Sequence, residues 1–376
     1  MKKFAFFVLL FVFTVVSANA KVIKIGALVS ITGPTAFLGE PERNTLEMLT
    51  KEVNKNGGID GNKIDLIVYD TKGNPSSTVV LARKLIYSDK VDVIIGPTRS
   101  GSTLAIIPLI ERSRVPLVSM AASHKITKPV KKWVFKTAPS DSLAVERIYS
   151  YMKDKGIKNV ALLTASTGFG SSGREELKRL APKYDIKIVA DELFGPKDTN
   201  MTSQLIKIKN IKGLQAIVCW GTNPGPASVA KNVKELNIKV PLFMSHGVAS
   251  KKFIELAGKA SNGIILPGGK LLIADQLPAN DPQKKVLLAY KKMYEAKFGP
   301  VSTFGGHAYD AFNIIEMAIK KGAANRASLR NNIEKTKNFV GITGIFNYSK
   351  NDHAGLNPSD FAIVKIENGN WKLIAY

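Results

Sequence analysis

From residue 22 onward, short apolar runs of strand length alternate with stretches whose apolar residues recur at helical spacing, and few folds accept that pattern. A run such as 160–164 suits a strand covered on both faces, the situation in a parallel sheet flanked by helices. The first unit reads as a strand over 22–29, then a loop with Gly33, Pro34 and Gly39. A helix entered at Pro41 follows, with Leu46, Leu49 and Val53 on one face and Gly57-Gly58 ending it. Further strands are expected at 64–69, 91–95 and 115–118, separated by helices whose apolar faces are Ala82/Leu85/Ile86 and Leu104/Ile107/Ile110. A second set of similar build follows 136–141, with strands at 160–164, 186–193, 214–220, 241–244 and 263–266. Helices near 283–298, 306–320 and 327–336 and strands over 361–366 and 371–375 complete the chain, and pattern alone does not assign them to either half.

Residues 1–20 read as a leader: Lys2 and Lys3, an apolar stretch over 4–16, then Ala18-Asn19-Ala20 as a small-residue cleavage site. About 13 apolar residues are too few for a membrane span, which needs roughly 20. The only cysteine, Cys219, lies far from this site, so no lipid anchor and no intrachain disulfide are expected. The formal charge of +24 falls to +22 without the leader's two lysines. Ten arginines stand against 44 lysines, and the lysines are scattered singly or in pairs, which describes a solvated surface and not a nucleic-acid footprint. No nucleic-acid partner is expected.

Chemistry-bearing motifs are sparse. Gly168-Phe169-Gly170-Ser171-Ser172-Gly173 is a literal G-x-G-x-x-G between a strand and a helix, with Asp191 eighteen residues beyond it. Ala165-Ser166-Thr167 intervene after the strand, whereas a dinucleotide fold makes its tight turn directly off it. The leader also lacks a twin-arginine pair, which implies export to a place where nicotinamide cofactors are scarce. H-E-x-x-H, G-x-S-x-G and Walker A patterns are absent, and His124, His246, His307 and His353 lack ligand spacing. No enzyme, cofactor or metal is expected. By contrast, the loops at 96–103 and 119–123 are small and hydroxylic at the ends of strands, where open α/β sheets bind ligands. Their hydroxyls and N–H groups would face an anion at a helix start.

Several motifs together resemble one family: Lys24-Ile25-Gly26 with Thr32-Gly33-Pro34, the segment 54–61, Ile95-Gly96-Pro97, Val115-Pro116, Phe135-Lys136-Thr137, Phe169-Gly170 and Ala308-Tyr309-Asp310-Ala311. The chain resembles a type I periplasmic solute-binding protein of the branched-chain amino-acid family, the receptor of an ABC importer. The resemblance implies an α/β fold of two Rossmann-like parallel-sheet lobes joined by a three-strand hinge. It divides the chain into 21–140 with 271–341 and 141–270 with 342–376. It further implies a periplasmic monomer that closes over a small solute and hands it to inner-membrane permease subunits. A sensory receptor on the same fold is the alternative within the binding class, and a periplasmic NAD-dependent enzyme the alternative outside it.

Carried over position by position, the resemblance places the solute carboxylate on Ser100, with Ala121 and Ser123 nearby, and second-lobe contacts on Phe169 and the segment from Trp220 to Asn223; an anionic solute without an amine would also suit Arg99. Leu38 stands where the first loop usually has an aromatic, and His307 where the last cleft helix has a tyrosine. His246 falls near the position of the acid that pairs with an amino acid's ammonium. The segments 245–249, 277–282 and 302–307 resemble the aromatic-acid, phenylpropanoid-type branch. A carboxylate lacking an amine is therefore expected, with Phe169 and Trp220 stacking on any ring. If a protonated histidine holds that carboxylate, affinity falls as pH rises through about 6.5.

Overall fold

The computed structural model describes residues 22–376, and the leader expected over 1–20 lies outside the described residues. The first half builds a parallel five-stranded sheet from β1 (Ile23–Val29), β2 (Ile64–Asp70), β3 (Val93–Ile95), β4 (Leu117–Ser119) and β5 (Val134–Lys136), in the order β2-β1-β3-β4-β5. Helices α1 (Ala36–Lys55), α2 (Pro75–Arg83) and α3 (Ser100–Ser113) connect them. Successive side chains of β1 and β3 enter opposite cores: Ile25, Ala27, Val93 and Ile95 pack on one face, Leu28 and Ile94 on the other. That two-sided burial explains why these strands read as continuous apolar runs.

α4 (Asp141–Asp154) opens the second half, followed by β6 (Asn159–Ala165), α5 (Gly168–Leu180), β7 (Lys187–Phe194), α6 (Thr202–Lys209) and β8 (Ala216–Trp220). Then come α7 (Gly225–Glu235), β9 (Leu242–Met244), α8 (Lys251–Ala257) and β10 (Ile265–Gly269). The chain continues through α9 (Lys284–Phe298), α10 (Thr303–Lys320), α11 (Arg326–Glu334) and a short hairpin of β11 (Phe339–Val340) and β12 (Ile345–Phe346). β13 (Phe361–Glu367) and β14 (Asn370–Ala375) then add to β10 antiparallel, which gives a seven-stranded sheet ordered β14-β13-β10-β9-β8-β6-β7. No helix among the described residues is long and apolar enough to cross a membrane.

Three local differences from the sequence expectations have physical causes. α1 starts at Ala36 and carries Pro41 inside it, because a proline near a helix start forfeits only a hydrogen bond of the first turns. β5 has three residues, too short for a periodicity, and is fixed by its pairing with β4. Beyond residue 341 the chain first returns to the first sheet: Phe346, Tyr348 and Leu356 share a core with Phe135 and Phe312. The Tyr348 hydroxyl donates to the Lys136 carbonyl at 2.8 Å, and His353 Nδ1 lies 2.9 Å from the Val134 carbonyl. We propose a lobe division near Asn357 in place of the one expected at Ile342.

α10 packs along α1 and reaches back to this returning segment. The buried Asp310 carboxylate accepts the Ile342 and Thr343 N–H groups at 2.6 and 2.7 Å, and a side chain at Gly341 would lie 2.4 Å from Asp310 Oδ1. Asp310→Ala leaves two buried donors unpaired at about 1–3 kcal/mol each. A loss of about 2–5 kcal/mol in urea unfolding is expected, and an unchanged midpoint would show that this carboxylate does not hold the returning segment.

Candidate functional site

In each sheet the strand order reverses beside the first strand of the half, at β1/β3 and at β6/β8, and the loops there diverge to leave a crevice. The two crevices face each other and enclose a cavity of about 250 Å³. The first half lines it with Leu38 of α1, Thr98 and Arg99 of the β3–α3 loop, the first turn of α3, and Met120 and Ala122 beyond β4. The second half supplies Thr167, Gly168 and Phe169 at the start of α5, Thr222 after β8, and His246 and Gly247 after β9. Phe304 and His307 reach in from the first turns of α10.

The lining contains no aspartate or glutamate. It does contain the first residues of α3 and α5, whose first-turn N–H groups carry the positive ends of two helices, whereas on α10 the Phe304 N–H is taken by Ser302 Oγ at 3.3 Å. Arg99 adds a guanidinium; burial lowers its pKa, and its Nη1 donates to the Gly73 carbonyl at 3.1 Å. Ser100 Oγ accepts the Ser123 N–H at 3.1 Å, which leaves the Ser100 hydroxyl proton for a guest. Behind this wall Lys136 is fully buried, with Nζ donating to the Ala122 and Ser123 carbonyls at 2.7 and 3.3 Å and to Ser140 Oγ at 3.2 Å. Burial pushes its ammonium down to about 7 and the Asp141 carboxyl up to about 7.

Six residues singled out from the sequence line the cavity: Leu38, Arg99, Ser100, Phe169, His246 and His307. Four do not. Ala121 packs under α3, because its neighbours Met120 and Ala122 take the cavity side. Ser123 spends its hydroxyl on Ser172 Oγ at 2.8 Å. Trp220 stands behind Phe169 with ring centres 5.7 Å apart, so it backs the cavity wall and offers no face to a ring inside. Asn223 is buried beside the lining residue Thr222. Phe304 was missed, although it sits one turn before His307 on the same helix face.

The histidines correct a second expectation. His246 is wedged among Phe169, Trp220 and Phe361, with ring centres 5.4, 5.7 and 5.3 Å away. Burial, then the neighbouring His307 and Lys136, pushes it down to about 3; burial and Lys136 do the same to His307. Both imidazoles are neutral at neutral pH, so neither supplies the positive charge that a pH-dependent grip on a carboxylate requires. Ring-nitrogen NMR shifts of both are expected to stay those of neutral imidazole down to about pH 4.5, and protonation near the ordinary value of about 6.5 would reverse this assignment.

The glycines of the G-x-G-x-x-G are explained by close approach. A Cβ on Gly170 would lie 1.8 Å from the Ala165 carbonyl oxygen, and one on Gly173 2.0 Å from Trp220 Nε1. Asp191 is held by Arg174, with Nε and Nη2 each at 2.6 Å, and by Lys178, so no carboxylate is free for a ribose. Gly168 meets Gly101 across the cleft: a Cβ there would lie 2.8 Å from the Gly101 Cα and N. Ser123–Ser172 and Lys125–Glu175, the latter at 2.7 Å, continue this seam along α5. Backbone on both sides leaves nothing to give way, so Gly168→Ala is expected to hold the halves apart. Small-angle scattering should then show a larger radius than wild type, and an identical profile would sink the idea.

Comparison with known proteins agrees with this architecture. The family described as periplasmic binding protein matches residues 22–370, and the chain belongs to it. The leucine-, isoleucine-, valine-, threonine- and alanine-binding protein of Pseudomonas aeruginosa is 26% identical over 81% of this chain and 80% of its own length. An extracellular ligand-binding receptor from Rhodopseudomonas palustris HaA2 superposes with a TM-score of 0.87 at 30% identity, over 94% of this chain and 99% of that one. The branched-chain amino acid transporter substrate binding protein LivJ of Streptococcus pneumoniae, solved with isoleucine, gives 0.83 at 26% identity over 95% and 100%. These relatives are solute-binding proteins and not enzymes.

Proposed function

We propose that this chain is the periplasmic receptor of an ABC importer and captures a small carboxylate without an amine by closing its two lobes. The carrying observation is the charge of the lining: the starts of α3 and α5 and Arg99 face the cavity, and no acid does. An anion is welcome there, worth about 0.3–1 kcal/mol per helix end and more where water is excluded. An amino acid would have to bury its ammonium without a partner, which costs several kcal/mol. Leu38, Met120, Phe169 and Phe304 make the rest of the wall apolar, and cavities of about 150 Å³ already admit a benzene ring, so a ring bearing a carboxylate fits.

The names of the relatives favour a second reading, leucine-type amino acids, and one residue supports it. Glu42 on α1 is fully buried one layer behind the cavity, with its Oε2 accepting the Thr98 hydroxyl. Burial raises its pKa well above the carboxylate range and keeps it neutral. An amino-acid guest would have to ionise Glu42 and reach it past Thr98.

Calorimetry with leucine, valine and phenylalanine beside benzoate- and cinnamate-type acids separates the two. Micromolar binding is expected among the acids, with the amino acids at least 100-fold weaker; the reverse order would establish the amino-acid reading. Ser100→Ala should weaken the acids about 10- to 150-fold, the range for hydrogen bonds to a charged group. Loss of labelled-solute uptake on deletion would separate an importer subunit from a sensory receptor.

A further inference from the structure

Behind the main cavity lies a second one of about 20 Å³, lined by Pro139, Gly269, Leu271, Ile342, Thr343 and Phe361 and closed by His246 and His307. Residues 139, 269–271 and 342–343 come from three separate passages of the chain, so this small space sits where those passages converge. The two histidines line both cavities and form the wall between them. They come from opposite sides: His246 from the loop after β9, and His307 from α10, which packs on α1.

This wall is polar and unsatisfied. Both ring nitrogens of His246 and Nδ1 of His307 are buried without a hydrogen-bond partner. His246 and His307 are each 6% exposed. An unpaired buried polar group costs about 1–3 kcal/mol, so these three ring nitrogens call for a partner. The aromatic rings around His246 hold its imidazole in place and offer no acceptor or donor at hydrogen-bond distance.

The charge state narrows what answers these groups. Burial and the Lys136 ammonium hold both imidazoles neutral. A neutral imidazole offers one donor and one acceptor. A cationic group would meet Lys136 with no carboxylate in the lining, and a second carboxylate would leave each imidazole's acceptor nitrogen unanswered. An uncharged hydroxyl fits, because it both donates and accepts. We infer that His246 and His307 form a subsite for one hydroxyl of the solute, held at the end of the cavity away from Ser100 by a side chain from each lobe. The inference rests on the carboxylate-binding reading and narrows it to hydroxy-acids.

Matched pairs of acids test it by calorimetry: benzoate against 3- and 4-hydroxybenzoate, and pentanoate against 4-hydroxypentanoate. At least one oxygenated member is expected to bind wild type tenfold or more tighter than its parent. In His246→Phe and in His307→Phe that ratio should fall to about one, while His246→Asn, which keeps a donor and an acceptor, should restore part of it. Equal affinities within every pair in wild type would overturn the inference and leave carboxylate capture standing, as would a preference that survives both phenylalanine variants. Binding of no acid at all would overturn the carboxylate reading and this one with it. The wild-type comparison needs no variant, so a misfolded mutant does not rescue the proposal.

Discussion

Two helices that start head to head, with nothing but glycine between them, set the terms for the rest of the molecule. α3 and α5 begin on opposite lobes and meet at Gly101 and Gly168, where a methyl group on Gly168 would lie 2.8 Å from the Gly101 Cα and N. Each brings the positive end of its peptide dipoles to the same place. Bringing like ends together is unfavourable, and removing them from water makes it more so. The seam of Ser123–Ser172 and Lys125–Glu175 offsets part of this, but an exposed ion pair contributes only about 0–1 kcal/mol. An anion in the cavity beside both helix starts would reverse the sign of the interaction. In the lobe closure proposed above, solute charge and closure are thereby coupled, and a guest with no negative group leaves the closed form opposed by its own architecture.

The rest of the site follows from keeping that charge unneutralised by the protein. Acids near the cavity are silenced or committed: Glu42 is buried neutral behind Thr98, and Asp141 faces Lys136 at the first crossover. Asp191, the acid that gives the glycine motif its nucleotide-binding look, is taken by Arg174 and Lys178. The same lobe uses its glycines for packing, so one sequence pattern that elsewhere serves a cofactor here seats α5 against Ala165 and Trp220.

Much of this was legible in the chain. Two-sided burial writes itself as apolar runs, so the α/β class and most strands were readable, and glycines and hydroxyls after strands marked the cleft loops. What pairing or packing decides was not. β5 exists because β4 is beside it, and residues 346–356 return to the first sheet because Tyr348 and His353 bond its edge. Within the site, which side of a loop faces the cavity turns on single-residue alternation: Met120 and Ala122 line it and Ala121 does not. The charge of His246 and His307 depends on burial and on Lys136, more than a hundred residues away from either, and no local pattern carries that.

On the carboxylate reading proposed above, recognition divides between backbone and side chains. Helix starts and Ser100 would treat any carboxylate alike, because they read one group that every candidate acid shares. Discrimination would then fall on the other end, where His246 and His307 hold unpaired polar atoms in otherwise apolar surroundings. Apolar walls distinguish guests weakly, at about 1–3 kcal/mol per methylene, whereas a buried polar group left unpaired rejects a guest that lacks its partner far more strongly. A receptor built this way is permissive about the shape of the middle of its solute and strict about both ends. Each strict end draws on both lobes, α3 and α5 at one and His307 and His246 at the other, so in this proposal a guest that satisfies both also holds the cleft shut.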